Sequence, residues 1–145
     1  MLLTSALLVS ALNFGQQGFA TIMKREESAH AASSNVPGTF YKLGLTACGT
    51  NPLDSDMVVA LSFKEFGDAP NPNNSPSCQK CINVVGDTKI PVIAKVQDKC
   101  AGCDEKAVDM SEKMFNLVVG PSDVGRKAIT WWYVPCPVSP EAPTA

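Results

Sequence analysis

The sequence predicts a small, mainly β domain stapled by disulfides. Two observations carry this: short runs rich in Val, Ile and aromatic residues, broken by Gly, Pro, Asn and Asp from Pro37 onward, and six cysteines, all downstream of an apolar leader. At 145 residues and 45% hydrophobic content the chain can build one modest core and is too short for two ordinary domains.

Candidate strands are Thr39 to Leu43, Met57 to Leu61, Cys81 to Val85, Thr88 to Gln97 and Ala128 to Val134. Gly86-Asp87 reads as a two-residue hairpin turn between the third and the fourth. One helix is expected after Ser111 as N-cap, with Met110, Met114, Leu117 and Val118 on one face and Gly120-Pro121 ending it. The stretch from Asp68 to Ser77 lacks periodicity and reads as an exposed loop, with a weak glycosylation sequon at Asn73-Asn74-Ser75.

Residues 1–20 have an apolar stretch from Leu2 to Phe14 followed by Gly18-Phe19-Ala20, the pattern of a cleaved secretory signal. That stretch is short for the roughly 30 Å hydrocarbon core of a bilayer, so no membrane association is expected after its removal. Residues 21–36 are polar and aperiodic, which predicts a disordered pro-segment or linker, and Lys24-Arg25 is a candidate dibasic cleavage site. The barrel domain is expected over 37–136, with a disordered proline-rich tail at 137–145. A net charge of -2 and scattered basic residues give no footprint for nucleic acid.

An even number of cysteines in an exported chain implies disulfides, although six cysteines allow 15 pairings and spacing cannot choose among them. Cys78-x-x-Cys81 and Cys100-x-x-Cys103 have zinc-ribbon spacing. Export, and the two cysteines that a four-ligand site would strand, favour bridges over metal, so no metal and no cofactor are expected. Cys100-Ala-Gly-Cys103 also has the spacing of a thiol oxidoreductase, but no strand-then-helix context follows it directly, which favours a structural bridge.

Asp98 and Asp109 are the candidate site carboxylates, because a loop pinned by Cys100 and Cys103 could bring both to one groove, where paired acids do glycosidic work. The plainer reading makes Asp98 an acceptor of backbone hydrogen bonds in a turn and Asp109 a solvated residue at a helix entrance. His30 falls in the segment expected to be disordered, which removes histidine triads and histidine metal sites from the folded region. Among the aromatic residues, strand alternation puts Trp131 and Tyr133 on one face and Trp132 on the other, so at least one tryptophan belongs to the core.

In combination, Gly38-Thr-Phe-Tyr41, Ala47-Cys48-Gly49, Ser55-Asp56-Met57 with the apolar run after it, Cys78-Gln-Lys-Cys81, Val96-Gln-Asp98-Lys-Cys100-Ala-Gly-Cys103, Val108-Asp109-Met110-Ser111 and Ile129-Thr-Trp131 resemble one family. It is the double-psi β-barrel of rare-lipoprotein-A-like, barwin-like and expansin-like proteins, in its short secreted form. The resemblance implies a six-stranded double-psi β-barrel with one or two short helices and disulfides Cys48 with Cys78, Cys81 with Cys136 and Cys100 with Cys103. It also implies a polysaccharide groove holding Asp109, with Asp98 close by and Tyr41 on its wall.

The chain departs from expansins in carrying Ala107-Val108 before Asp109 and Phe40 where a threonine is usual, and no carbohydrate-binding second domain is expected after Cys136. No carboxylate occurs from Gly38 to Cys48, where an endoglucanase of this barrel type keeps its base, so a complete hydrolase site is not expected. The function expected is a secreted, extracellular, monomeric and non-hydrolytic module that binds cell-wall polysaccharide or a related glycan. The alternatives are a protein-binding inhibitor or effector, such as a cysteine-protease inhibitor whose partner is a secreted protease or host protein, and a glycan-cleaving enzyme with an incomplete acid pair.

Overall fold

The computed structural model describes residues 31–138, so the signal, Lys24-Arg25, His30 and residues 139–145 lie outside the described residues. Six strands form the architecture: β1 (Ser33–Tyr41), β2 (Val58–Ser62), β3 (Cys81–Val85), β4 (Val92–Cys100), β5 (Val108–Ser111) and β6 (Lys127–Val134). They close in the order β1-β5-β2-β4-β3-β6. Two pairs are parallel, β1 with β5 and β2 with β4, and the other four are antiparallel. This is a double-psi β-barrel, and closure leaves it without a free sheet edge. Two short helices, α1 (Phe63–Phe66) and α2 (Glu112–Val118), pack on it.

The core follows strand alternation. Val59, Leu61, Ile82, Val84, Val96, Val108, Met110 and Ile129 point inward and meet Phe66, Met114 and Phe115 from the helices. Trp131 is the core tryptophan, at 2% exposure, and its indole Nε1 donates to the Lys106 carbonyl at 2.8 Å. Tyr133, on the same face, packs edge-on against it at 5.3 Å between ring centroids.

The structure corrects several sequence expectations. The first strand begins at Ser33, so residues 33–36 pair with β6 rather than belonging to a disordered linker. Val108 to Ser111 form a strand instead of the approach to a helix, because β5 is flanked by β1 on one side and β2 on the other. Ser111 stands at the N-cap of α2, but its hydroxyl donates to the Asp56 carbonyl and does not cap the helix. Leu117, expected on one face with Met110, Met114 and Val118, is 44% exposed while those three are buried.

The predicted two-residue turn is a longer connection running from Gly86 to Pro91. Proline has no N–H to donate to a ladder, and β4 starts just after it. This connection covers the end of α2. Thr88 donates from its backbone N–H to the Val118 carbonyl and from its hydroxyl to the Leu117 and Val118 carbonyls, which satisfies acceptors that a helix end leaves open. Gly86 makes the approach possible, since a Cβ there would stand 2.7 Å from the Val118 carbonyl oxygen.

Three disulfides link Cys48 with Cys78, Cys81 with Cys136 and Cys100 with Cys103. The four cysteines with zinc-ribbon spacing are thereby divided among all three bridges. No helix among the described residues is long and apolar enough to cross a membrane.

Candidate functional site

Strand register brings the two candidate carboxylates together. Ala60 of β2 is the partner of Asp98 on β4 and also of Asp109 on β5. Residues opposed in a ladder share a face, so a buried methyl group separates the two acids, whose Cα atoms lie two strand spacings apart, roughly 10 Å. A bulge in the β2–β4 pairing creates this alignment. Val59 faces Val96, yet Ala60 faces Asp98, so Gln97 is the extra residue.

The chain around residues 46–50 holds the bulge. Cys48 donates its N–H to the Gln97 carbonyl at 3.0 Å, and the Thr50 hydroxyl donates to the Gln97 side chain at 2.6 Å. Gly49 takes a left-handed φ of 73° in the turn. The same turn presents the Ala47 N–H to Asp98 Oδ1 at 2.8 Å, and Lys99 N–H reaches that oxygen at 2.8 Å as well. The plainer reading of Asp98 as a backbone acceptor is thus correct in geometry, while its other oxygen accepts no hydrogen bond among the described residues.

On the far side of β5, Thr39 of β1 is the partner of Asp109, and its hydroxyl donates to Asp109 Oδ1 at 2.8 Å. Tyr41 lies two residues further along β1 and therefore on the face of Thr39. Phe40 turns the other way, with its ring centroid 5.1 Å from that of Phe115. One face of the barrel thus carries a row of Asp98, Ala60, Asp109 and Thr39 with Tyr41 beside it. Thr39 and Ala60 are the residues that sequence reasoning missed. Alternation in Gly38-Thr39-Phe40-Tyr41 carries a signal for Thr39, since it puts that residue with Tyr41 and away from Phe40.

Burial pushes the Asp109 carboxyl above the usual carboxylate range, and the charge of Asp98 adds to this, while the Thr39 hydrogen bond and the charge of Arg126 oppose it. The Tyr41 phenol is also pushed up, first by burial and then by Asp98 and Asp109. Its hydroxyl is shut off from solvent and near Asp98, although the geometry falls short of a proper hydrogen bond.

The Asp109 shift has a consequence for stability. A carboxyl raised in the folded state favours the protonated form, so its contribution is present below the ordinary carboxylate value and is lost as pH rises through the higher folded value. Asp109→Asn removes the charge and keeps an acceptor for Thr39. Its melting temperature is expected to exceed the wild type's at pH 7, and the gap to close below about pH 4. Thermal melts across that range check this, and identical curves would contradict it.

The sulfurs of Cys100 and Cys103 and an Asp109 oxygen lie within 4.8 Å of one another. Because the sulfurs are bonded to each other, the cluster offers a metal only the carboxylate, and the bridge acts as an uncharged neighbour of Asp109.

No protein-family model matches the chain. The papain inhibitor of Streptomyces mobaraensis is 36% identical over 119 residues, covering 74% of this chain and 81% of that protein. An Asp f 7 allergen homolog of Arthroderma benhamiae is 40% identical over 92 residues, or 61% of this chain, and the chain spans only 31% of that protein's length. Among solved structures, the Streptomyces papain inhibitor matches with a TM-score of 0.65 and 31% identity, covering 73% of this chain and 96% of that one. A Clavibacter michiganensis expansin in complex with cellohexaose matches with a TM-score of 0.62 and 26% identity, covering 76% of this chain and 54% of that one. Fold and these similarities together define the class, that of barwin-like and expansin-like double-psi β-barrels. Within it, this chain belongs to the family of the Streptomyces papain inhibitor.

Proposed function

We propose that this barrel is an extracellular, non-hydrolytic module that binds a polysaccharide chain along the row of Asp98, Asp109 and Thr39 beside Tyr41. The observation that carries the reading is the alignment of both carboxylates across Ala60, with Thr39 holding Asp109. Sugar hydroxyls are donors, and the unused oxygen of Asp98 and the carboxyl of Asp109 are acceptors on one face. The solved Clavibacter expansin with cellohexaose lends support from a related barrel. Binding without cleavage accords with Asp98 being tied at Oδ1 by two backbone donors, which hold its side chain in one orientation. Three disulfides that use every cysteine support an oxidising, extracellular setting. The test is titration calorimetry with cellohexaose, with sedimentation against cellulose, chitin and peptidoglycan. Failure to bind any of them overturns the reading.

A second reading, inhibition of a papain-type cysteine protease, draws on the 36% identity to a papain inhibitor. It also draws on the connection between β1 and β2, where Leu45 is 81% and Leu53 is 69% exposed. Thr46 and Thr50 hydrogen bond to each other there, and Cys48 ties the segment to Cys78, so the loop is ordered before any partner arrives. Such preorganisation lowers the entropic cost of docking. Under this reading Leu45→Asp with Leu53→Asp abolishes inhibition in a papain assay and Asp109→Ala leaves it intact. Wild-type protein without inhibitory activity sinks it.

A further inference from the structure

A cleft of about 600 Å³ opens on the wall of Tyr41 without including either groove carboxylate. It lies between the start of the β1–β2 connection and α2, and this is where Leu117 is exposed. We infer that the cleft is a second glycan subsite, continuous with the acidic row through Tyr41, and that it takes uncharged sugar units. The inference rests on the glycan reading of the Tyr41 groove.

The chemistry of the lining supports it. Lys42 and Lys113 offset Asp54 and Glu112, so the cleft carries both signs and no net charge, alongside the apolar face of Leu117. A mixture of donors, acceptors and an apolar wall suits a sugar ring, which has hydroxyls at its rim and C–H groups on its faces. Two of the charged groups are already held in place. Lys113 donates to the Ser55 carbonyl at 3.1 Å, and Glu112 accepts from the Ser122 hydroxyl at 2.9 Å. A polyuronate long enough to reach from the cleft into the adjoining row would, in contrast, bring carboxylates against Asp98 and Asp109, where like charges repel.

Asn116 lies on the cleft wall and is exposed on α2, so Asn116→Trp fills the space without touching the core. Leu117→Asp, also at an exposed position, removes the apolar wall. Calorimetry with cellohexaose, cellobiose and polygalacturonate tests the proposal. Both variants are expected to melt with the wild type and to lose about tenfold in cellohexaose affinity, the equivalent of one subsite at about 1.4 kcal/mol. Cellobiose, short enough for the acidic row alone, is expected to bind all three proteins equally, and polygalacturonate to bind none. If the wild type binds cellohexaose and both variants bind it equally well, the cleft is overturned and the groove survives. If polygalacturonate binds as tightly as cellohexaose, the selection of uncharged units is overturned. If the wild type binds no glycan at all, the underlying reading falls and the subsite falls with it.

Discussion

Asp109→Ala is expected to lower cellohexaose affinity by at least tenfold while leaving the barrel folded. Asp109 is half-buried between Ala60 and Thr39, and its carboxyl accepts from the Thr39 hydroxyl. Truncation removes a ligand acceptor and also frees Thr39, and loss of one hydrogen bond to a charged group is worth about 1.5 to 3 kcal/mol. Relief of the burial that raises the carboxyl should offset the loss in fold stability. Thr39→Val separates positioning from contact. It should reduce affinity by a smaller factor and raise the pH at which binding changes, because the hydrogen bond that opposes the upward shift of Asp109 is gone. Calorimetry from pH 4 to pH 8 reads both effects. Unchanged affinity for Asp109→Ala would remove the acidic row from the binding site.

Much of this architecture is written in local pattern. Cys81–Val85 has the predicted bounds because its apolar run is closed by cysteine on one side and glycine on the other. Lys127–Val134 differs by a single residue. Val108–Ser111 escaped because a four-residue strand spans barely one helical period, too little to tell the two periodicities apart, and Met110 fits a helical face as well as it fits a barrel interior. Pairing on both edges decides the matter, and no local signal reports pairing. The same limit applies to the site. The sequence places Asp98 and Asp109 eleven residues apart, but only register reveals that they flank Ala60, and only the bulge at Gln97 turns Asp98 toward it. Ser33 to Val36 have no apolar alternation at all, and their strand exists because β6 lies alongside.

Removing the bridges one at a time, as Cys→Ala pairs, should separate what holds the barrel from what shapes the groove. A crosslink constrains the unfolded chain more as the loop it closes lengthens, and the sequence separations are 55 for Cys81–Cys136, 30 for Cys48–Cys78 and 3 for Cys100–Cys103. The expected losses on denaturation are about 4, about 3.7 and about 2 kcal/mol in that order. For a domain this small, whose total stability is about 5 to 15 kcal/mol, the first loss is a large share. Glycan affinity should follow a different order. Cys81–Cys136 ties β3 to the chain after β6, and neither cysteine lies on the strands that carry the acidic row, so its loss should weaken the fold and spare binding wherever the protein remains folded. Cys100–Cys103 contributes least to stability, yet its sulfurs stand against Asp109 and it fixes the end of the strand that bears Asp98. Its loss should cost affinity out of proportion to its effect on melting. Equal ranking of the three pairs in both urea denaturation and calorimetry would mean that the short bridge is only a staple, with no part in shaping the groove.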